Sequence, residues 1–148
     1  MYHLARTADC LGLSGSFVFE KISQDYKKIM IKPKVSSVIA THNNKNNIEG
    51  CIDSLSSCSF SDIEIIAVDV NSADGTKGLL EQMADENENI IYLSDGMGSM
   101  GHARNIGMDR ARADYIMFVE PDDVIKKNAF EYMSSSLDEN TDADRYRG

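Results

Sequence analysis

From residue 35 onward, short apolar runs alternate with segments of helical period, and few folds accommodate that beat. KVSSVIA (34–40) reads as a buried strand, closed by the polar cluster THNNKNN. Ile48, Cys51, Ile52 and Leu55 then recur at helical spacing. IEIIAVDV (63–70) is a near-continuous apolar run, as a strand covered on both faces requires. After the turn NSADGT, Leu79, Leu80 and Met83 mark a second helix. NIIYL (89–93) predicts a third strand, and the helix after it runs through Arg112. YIMFVE (115–120) predicts a fourth strand. VIKKNAFEYMSSSL (124–137) predicts a fourth helix, with Ile125, Ala129, Phe130, Met133 and Leu137 inward. Strands alternating with helices define an α/β fold around a mainly parallel sheet. Ligands of such sheets bind beyond the carboxyl ends of the strands, so the polar loops there are where chemistry is expected.

The chain has 148 residues, enough for one domain with a sizeable core. Three segments are expected: a basic extension at 1–34, the α/β domain at 35–137 and a polar tail at 138–148. Within the extension, SFVFEKISQDYKKIMIK forms an amphipathic pattern with Val18, Ile22, Tyr26 and Ile29 on one face. A helix packed on the domain, a loose arm and a membrane-surface contact are the readings open to it. Net charge is −9, unevenly spread: residues 1–34 carry +3 and the remainder −12. An acidic body argues against nucleic acid as partner, but not against a nucleotide held through a metal ion. No apolar run reaches the ~20 residues of a membrane-spanning helix, and no signal-peptide pattern opens the chain, so a cytoplasmic location is expected. Cys51 and Cys58 stand two helical turns apart, about 10 Å, too far for a disulfide. Together with Cys10 they are read as reduced thiols.

Residues 94–107, SDGMGSMGHARNIG, contain Gly96-x-Gly98-x-x-Gly101, with Glu120 nineteen residues further on. That spacing matches a dinucleotide-binding fingerprint. Against it, the motif lies in the third βα unit rather than the first, and Ser94 and Asp95 separate strand from glycine. The glycines serve either as a flexible loop or as backbone amides facing a bound anion.

The loops after strands one, two and four hold Ala40-Thr41-His42-Asn43-Asn44, Asp69-Val70-Asn71-Ser72-Ala73-Asp74-Gly75-Thr76 and Glu120-Pro121-Asp122-Asp123. They converge at one sheet edge. A divalent metal holding a diphosphate takes hard oxygen ligands from one or two carboxylates. Taken in order, these loops and the intact Ala103-Arg104-Asn105-Ile106-Gly107 resemble the nucleotide-binding half of a family 2 glycosyltransferase of GT-A fold, from about Lys34 to Met133. The resemblance implies a nucleotide-diphospho-sugar donor, UDP- or GDP-linked, at Ala40, Thr41, His42, Asp69, Val70, Asn71, Arg104, Glu120 and Asp122. It implies Mn2+ or Mg2+ at Asp122 and Asp123, and inverting sugar transfer to a glycan or lipid-linked acceptor. Asp123 as the cap of the following helix is compatible with that role. Arg104 either pairs with the acids of the site or touches the diphosphate, and His102 either faces the phosphates or lies on the surface.

Four positions depart from the family pattern. Val70 stands where an acid hydrogen-bonds the base, so recognition there must be weaker, different or absent. His42 replaces a tyrosine beside the base, and stacks or is simply solvated. Glu120 replaces an aspartate, and Ala40 a proline. The general base of such enzymes lies after the metal motif, where this chain has 25 residues. A missing acceptor half, or a non-catalytic remnant with a binding or structural role, is the expectation that follows. A nucleotidyltransferase-like site would need a basic Gly-rich loop after strand one, which THNNKNN is not. Pairing with a second copy also remains open.

Overall fold

The computed structural model describes residues 32–58, 62–96, 98–132 and 135. Four strands and three helices alternate: β1 (Val35–Thr41), α1 (Lys45–Ser56), β2 (Ile63–Asp69), α2 (Thr76–Glu86), β3 (Ile90–Ser94), α3 (Met100–Arg110) and β4 (Tyr115–Phe118). The sheet is parallel throughout, in the order β3-β2-β1-β4. The chain starts in the centre, winds outward to β3, then returns across β1 to place β4 on the other side. That reversal opens a crevice beyond the carboxyl ends of β1 and β4, the place where open α/β sheets bind ligands.

β1 and β2 are buried along their whole length because both faces are covered. On one face Val35, Ile39, Ile63, Ile65 and Ala67 pack with Ile48, Cys51, Ile52 and Leu55 of α1 and Leu80 of α2. On the other, Val38, Ala40, Ile66 and Val68 pack with Ala103 of α3. The approach of α3 to the sheet depends on Gly107, where a Cβ would run into the Val38 side chain. Gly107→Ala should therefore destabilise the domain by about 1–3 kcal/mol, although alanine is the better helix former. Chemical denaturation followed by circular dichroism measures this.

The start of that same face carries a buried charge. Glu64 is 2% exposed. It accepts hydrogen bonds from the Ser36 hydroxyl at 2.6 Å, the Arg112 backbone N–H at 2.7 Å and Arg112 Nε at 2.9 Å. Ser36 in turn accepts from the Ala113 N–H at 3.1 Å. This network ties the α3–β4 connection to the two central strands. Burial pushes the Glu64 carboxyl up, but the Ser36 and Arg112 hydrogen bonds and the Arg112 charge outweigh it, so its pKa lies below the usual value.

The expected fourth helix needs correction. Residues 123–126 have no regular structure, and helix begins only at Ala129. The Ile125 N–H donates to Ser54 Oγ on α1 at 2.9 Å, and the Cys58 thiol lies 3.8 Å from the Lys126 carbonyl. The Lys126 carbonyl closes only an isolated turn, accepting from the Ala129 N–H at 2.9 Å. Phe130 is buried and Ile125 packs against the same core, as expected. Met133 and Leu137 lie outside the described residues, as do residues 1–31 and the tail. The third helix ends at Arg110 rather than Arg112, because Arg112 is drawn onto Glu64. Cys51 and Cys58 are both buried free thiols. No helix among the described residues is long and apolar enough to cross a membrane.

Candidate functional site

The loops after β1 and β2 are zipped together at the carboxyl edge. His42 Nδ1 lies 2.6 Å from the Val70 carbonyl, which can only accept, so this nitrogen carries the proton. The Asn43 amide reaches Nε2 at 3.0 Å. The Asn43 N–H donates to Ser72 Oγ at 2.8 Å, and Asn43 Oδ1 accepts from the Ala73 N–H at 2.8 Å. Further along, the Asn44 N–H donates to Thr76 Oγ1 and the Lys45 N–H to Asp74, each at 3.0 Å. The Thr76 hydroxyl, helped by the Lys45 and Thr76 N–H groups, holds the Asp74 carboxyl down at about 2. Asn43 and Asn71 take left-handed backbone conformations, φ 54° and 50°, which asparagine tolerates better than most residues.

Beneath the zipped loops lie two adjacent polar residues. Thr41 and Asp69 are register partners at the ends of β1 and β2, and are 0% and 1% exposed. Asp69 Oδ2 accepts from the Ser72 N–H at 3.1 Å. Asp69 Oδ1 and Thr41 Oγ1 have no hydrogen-bond partner. Buried oxygens without partners are costly, and a ligand that donates to them offsets that cost. Val70 turns to the opposite face, against the Val38–Ala103 cluster. Ala40 belongs to that cluster and has no side-chain access to the crevice.

Across the crevice, the loop after β4 carries the acids. Arg104 pairs with Glu120 at 2.6 Å, so of its two expected roles the structure has it engaged with an acid. Both side chains are partly exposed, so the pair orients more than it stabilises. The Asp123 N–H donates to the Glu120 carbonyl at 3.0 Å, and Asp123 Oδ2 accepts from the Glu120 N–H at 3.2 Å. Asp123 therefore closes its own turn. The helix-cap reading fails, because helix begins six residues later. Asp122 and Asp123 are exposed. They nevertheless act on Cys51 below: burial first, then the charges of Asp123 and Asp122, push its thiol up to about 11. The thiol stays protonated at neutral pH and donates to the Glu120 carbonyl at 3.4 Å.

The glycine stretch is built around Asp95, which is 7% exposed. Its carboxylate accepts from the Gly98 N–H at 2.9 Å and lies 2.7 Å from His102 Nδ1. A Cβ at Gly98 would overlap the Asp95 carboxylate and crowd the His102 ring. Packing, not loop flexibility, requires glycine there. His102 is exposed along most of its side chain, in keeping with the surface reading. A carboxylate filling the turn also removes the open anion cradle that a dinucleotide fingerprint needs.

A parallel sheet covered by helices, with acids and orphaned oxygens at its carboxyl edge, has the arrangement of a GT-A fold. Solved structures agree. S. aureus TarS (residues 1–349) superposes with a TM-score of 0.66 at 26% identity, over 72% of this chain and 33% of that one. Mannosyltransferase PcManGT from Pyrobaculum calidifontis shares the fold, with a TM-score of 0.63 at 19% identity over 72% of this chain and 32% of its own. Among curated proteins, the uncharacterized glycosyltransferase EpsJ of Bacillus subtilis is 34% identical over 108 residues, 73% of this chain and 31% of EpsJ. The sequence model of Glycosyl transferase family 2 matches residues 36–144. The chain belongs to that family. It spans about a third or less of the length of the first relatives it matches.

Proposed function

We propose that this domain binds a nucleotide-diphospho-sugar with a divalent cation and serves inverting glycosyl transfer in polysaccharide or glycoconjugate synthesis. The observation that carries the reading is the pairing, across one crevice, of unpartnered Asp69 and Thr41 oxygens with the exposed carboxylates of Asp122 and Asp123. Structures of TarS in complex with UDP and with UDP-GlcNAc, and of PcManGT with GDP-Man and Mn2+, support a donor of this class.

In this reading Asp69 and Thr41 accept from or donate to the nucleoside, and His42 offers its ring face while the Val70 carbonyl holds it. Asn71 and the backbone of 40–43 line the same wall. Asp122 and Asp123 suit a hard cation: two carboxylates leave the remaining positions to phosphate and water, as Mn2+ and Mg2+ on a diphosphate require. No group of three or more metal-ligating side chains occurs among the described residues, which fits a site completed by its ligand. Bound there, the cation would neutralise the departing diphosphate. Arg104 holds Glu120 beside that loop. Transfer to a glycan or lipid-linked glycan would need an Asp or Glu base to deprotonate its hydroxyl, and no described residue is assigned that role.

Val70 supports a second reading, a non-catalytic binding domain, since it offers no hydrogen-bonding group to a base. Calorimetric titration of the chain with UDP, GDP and NAD, each with and without Mn2+, separates the two. Metal-dependent binding of UDP or GDP supports the donor site. Silence toward both in the folded chain favours the remnant, and metal-independent binding of NAD overturns both.

A further inference from the structure

Between the turn at 121–122 and the helix at 129, the acid-bearing segment has no ladder of its own, yet one face of α1 holds its backbone at two levels, with a longer contact at a third. The Cys51 thiol donates to the Glu120 carbonyl at 3.4 Å. Ser54 Oγ accepts from the Ile125 N–H at 2.9 Å while donating to the Cys51 carbonyl at 2.7 Å. The Cys58 thiol, just past the helix end, donates to the Ser54 carbonyl at 3.3 Å and lies 3.8 Å from the Lys126 carbonyl. Positions 51, 54 and 58 follow the i, i+3, i+7 stripe of a helix, so all three point the same way. Every group they hold on the segment is main chain. The contacts therefore set where the backbone runs without themselves engaging the carboxylates of Asp122 and Asp123. Asp122 and Asp123 stand between the first and second tether, with their turn closed by the paired Glu120 and Asp123 bonds.

We infer that Cys51 and Ser54 are positioning residues for Asp122 and Asp123, fixing the backbone of residues 120–125 so that both carboxylates are presented at the crevice before a ligand arrives. The inference rests on the cation reading of those two acids. Its physical content is preorganisation: a carboxylate pair on an untethered loop must be ordered at the moment of binding, and that cost appears as lost affinity. Ser54 carries the larger share, because it both accepts from the segment and is braced by its own helix. Cys58, at a longer distance and further from the acids, contributes less.

The test is calorimetry on the full chain with Mn2+ and UDP, comparing Ser54→Ala, Ser54→Thr and Cys51→Val. Ser54→Ala is expected to weaken the Mn2+-dependent part of UDP binding about fivefold to tenfold, roughly one hydrogen bond's worth. The metal-free part should stay within about twofold of the unsubstituted chain, and Ser54→Thr, which keeps the hydroxyl, should restore the loss. A uniform loss of both parts, or no loss in a folded Ser54→Ala chain, overturns the inference. Should Ser54→Ala not fold, Cys51→Val carries the same comparison. Absence of metal-dependent binding in the unsubstituted chain would instead remove the cation reading. Amide hydrogen exchange across 120–126 then decides the tether: faster exchange confined to that segment in Ser54→Ala supports it, and unchanged exchange overturns it.

Discussion

Glu64→Ala is expected to cost the domain about 3 kcal/mol. The substitution leaves the Ser36 hydroxyl and the Arg112 backbone N–H inside with no acceptor, each a desolvated group that had been satisfied. The Arg112 guanidinium is partly exposed and returns to water, which keeps the loss below that of a fully stranded charge. Urea unfolding should show a lower midpoint at an unchanged slope. The pH dependence follows from the sign of the shift. A carboxyl whose folded pKa is depressed contributes stability that is fully present above its unfolded value and is lost as pH falls through the folded one. The unsubstituted domain should therefore lose stability as pH drops below about 4.5. Glu64→Gln, less stable at neutral pH, should lose less over that window. Parallel profiles for the two proteins would refute the assignment.

Asp122→Asn and Asp123→Asn together should lower Mn2+-dependent UDP affinity by roughly 100-fold. Amide oxygens are weaker hard-cation ligands than carboxylates and bring no charge to offset that of the metal. Stability should change little, within about 0.5 kcal/mol, because both residues are exposed and the side-chain amide introduced at position 123 keeps an acceptor for the Glu120 N–H. Thermal unfolding run beside the calorimetry separates lost ligation from lost fold. An affinity within about threefold of the unsubstituted chain would move the cation elsewhere.

Strand and helix order was legible because each element carries its own period. Ile48, Cys51, Ile52 and Leu55 bury a helical stripe, and β1 and β2 bury continuous runs. The edge loops followed from topology, since a parallel sheet delivers all its strand ends to one side. What escaped the reading depends on partners far along the chain. Glu64 looks like a stray charge in a strand until Arg112, 48 residues away, is beside it. Helix was expected from Val124 because Ile125, Ala129 and Phe130 keep helical spacing, yet regular helix starts only at Ala129, and the Ile125 N–H goes to Ser54, 71 residues away. Gly98 was placed among loop glycines, whereas the carboxylate of Asp95 fills the space a side chain would need. Local pattern reports the half of a contact that lies in its own window, and each of these contacts has its other half elsewhere.

The bond from His42 to the Val70 carbonyl joins two of the positions at which the chain departs from the family pattern. With Asn43, Ser72, Ala73, Asn44 and Thr76 also spanning the two loops, that wall of the crevice is one mechanical part assembled from two stretches of sequence. Any redesign of that wall has to treat it so. A loop transplanted from a relative into 41–45 alone would arrive with its counterpart missing, and the same holds for 70–76. The unit of exchange is the pair, and libraries that vary both loops together would sample working walls that single-loop libraries never reach.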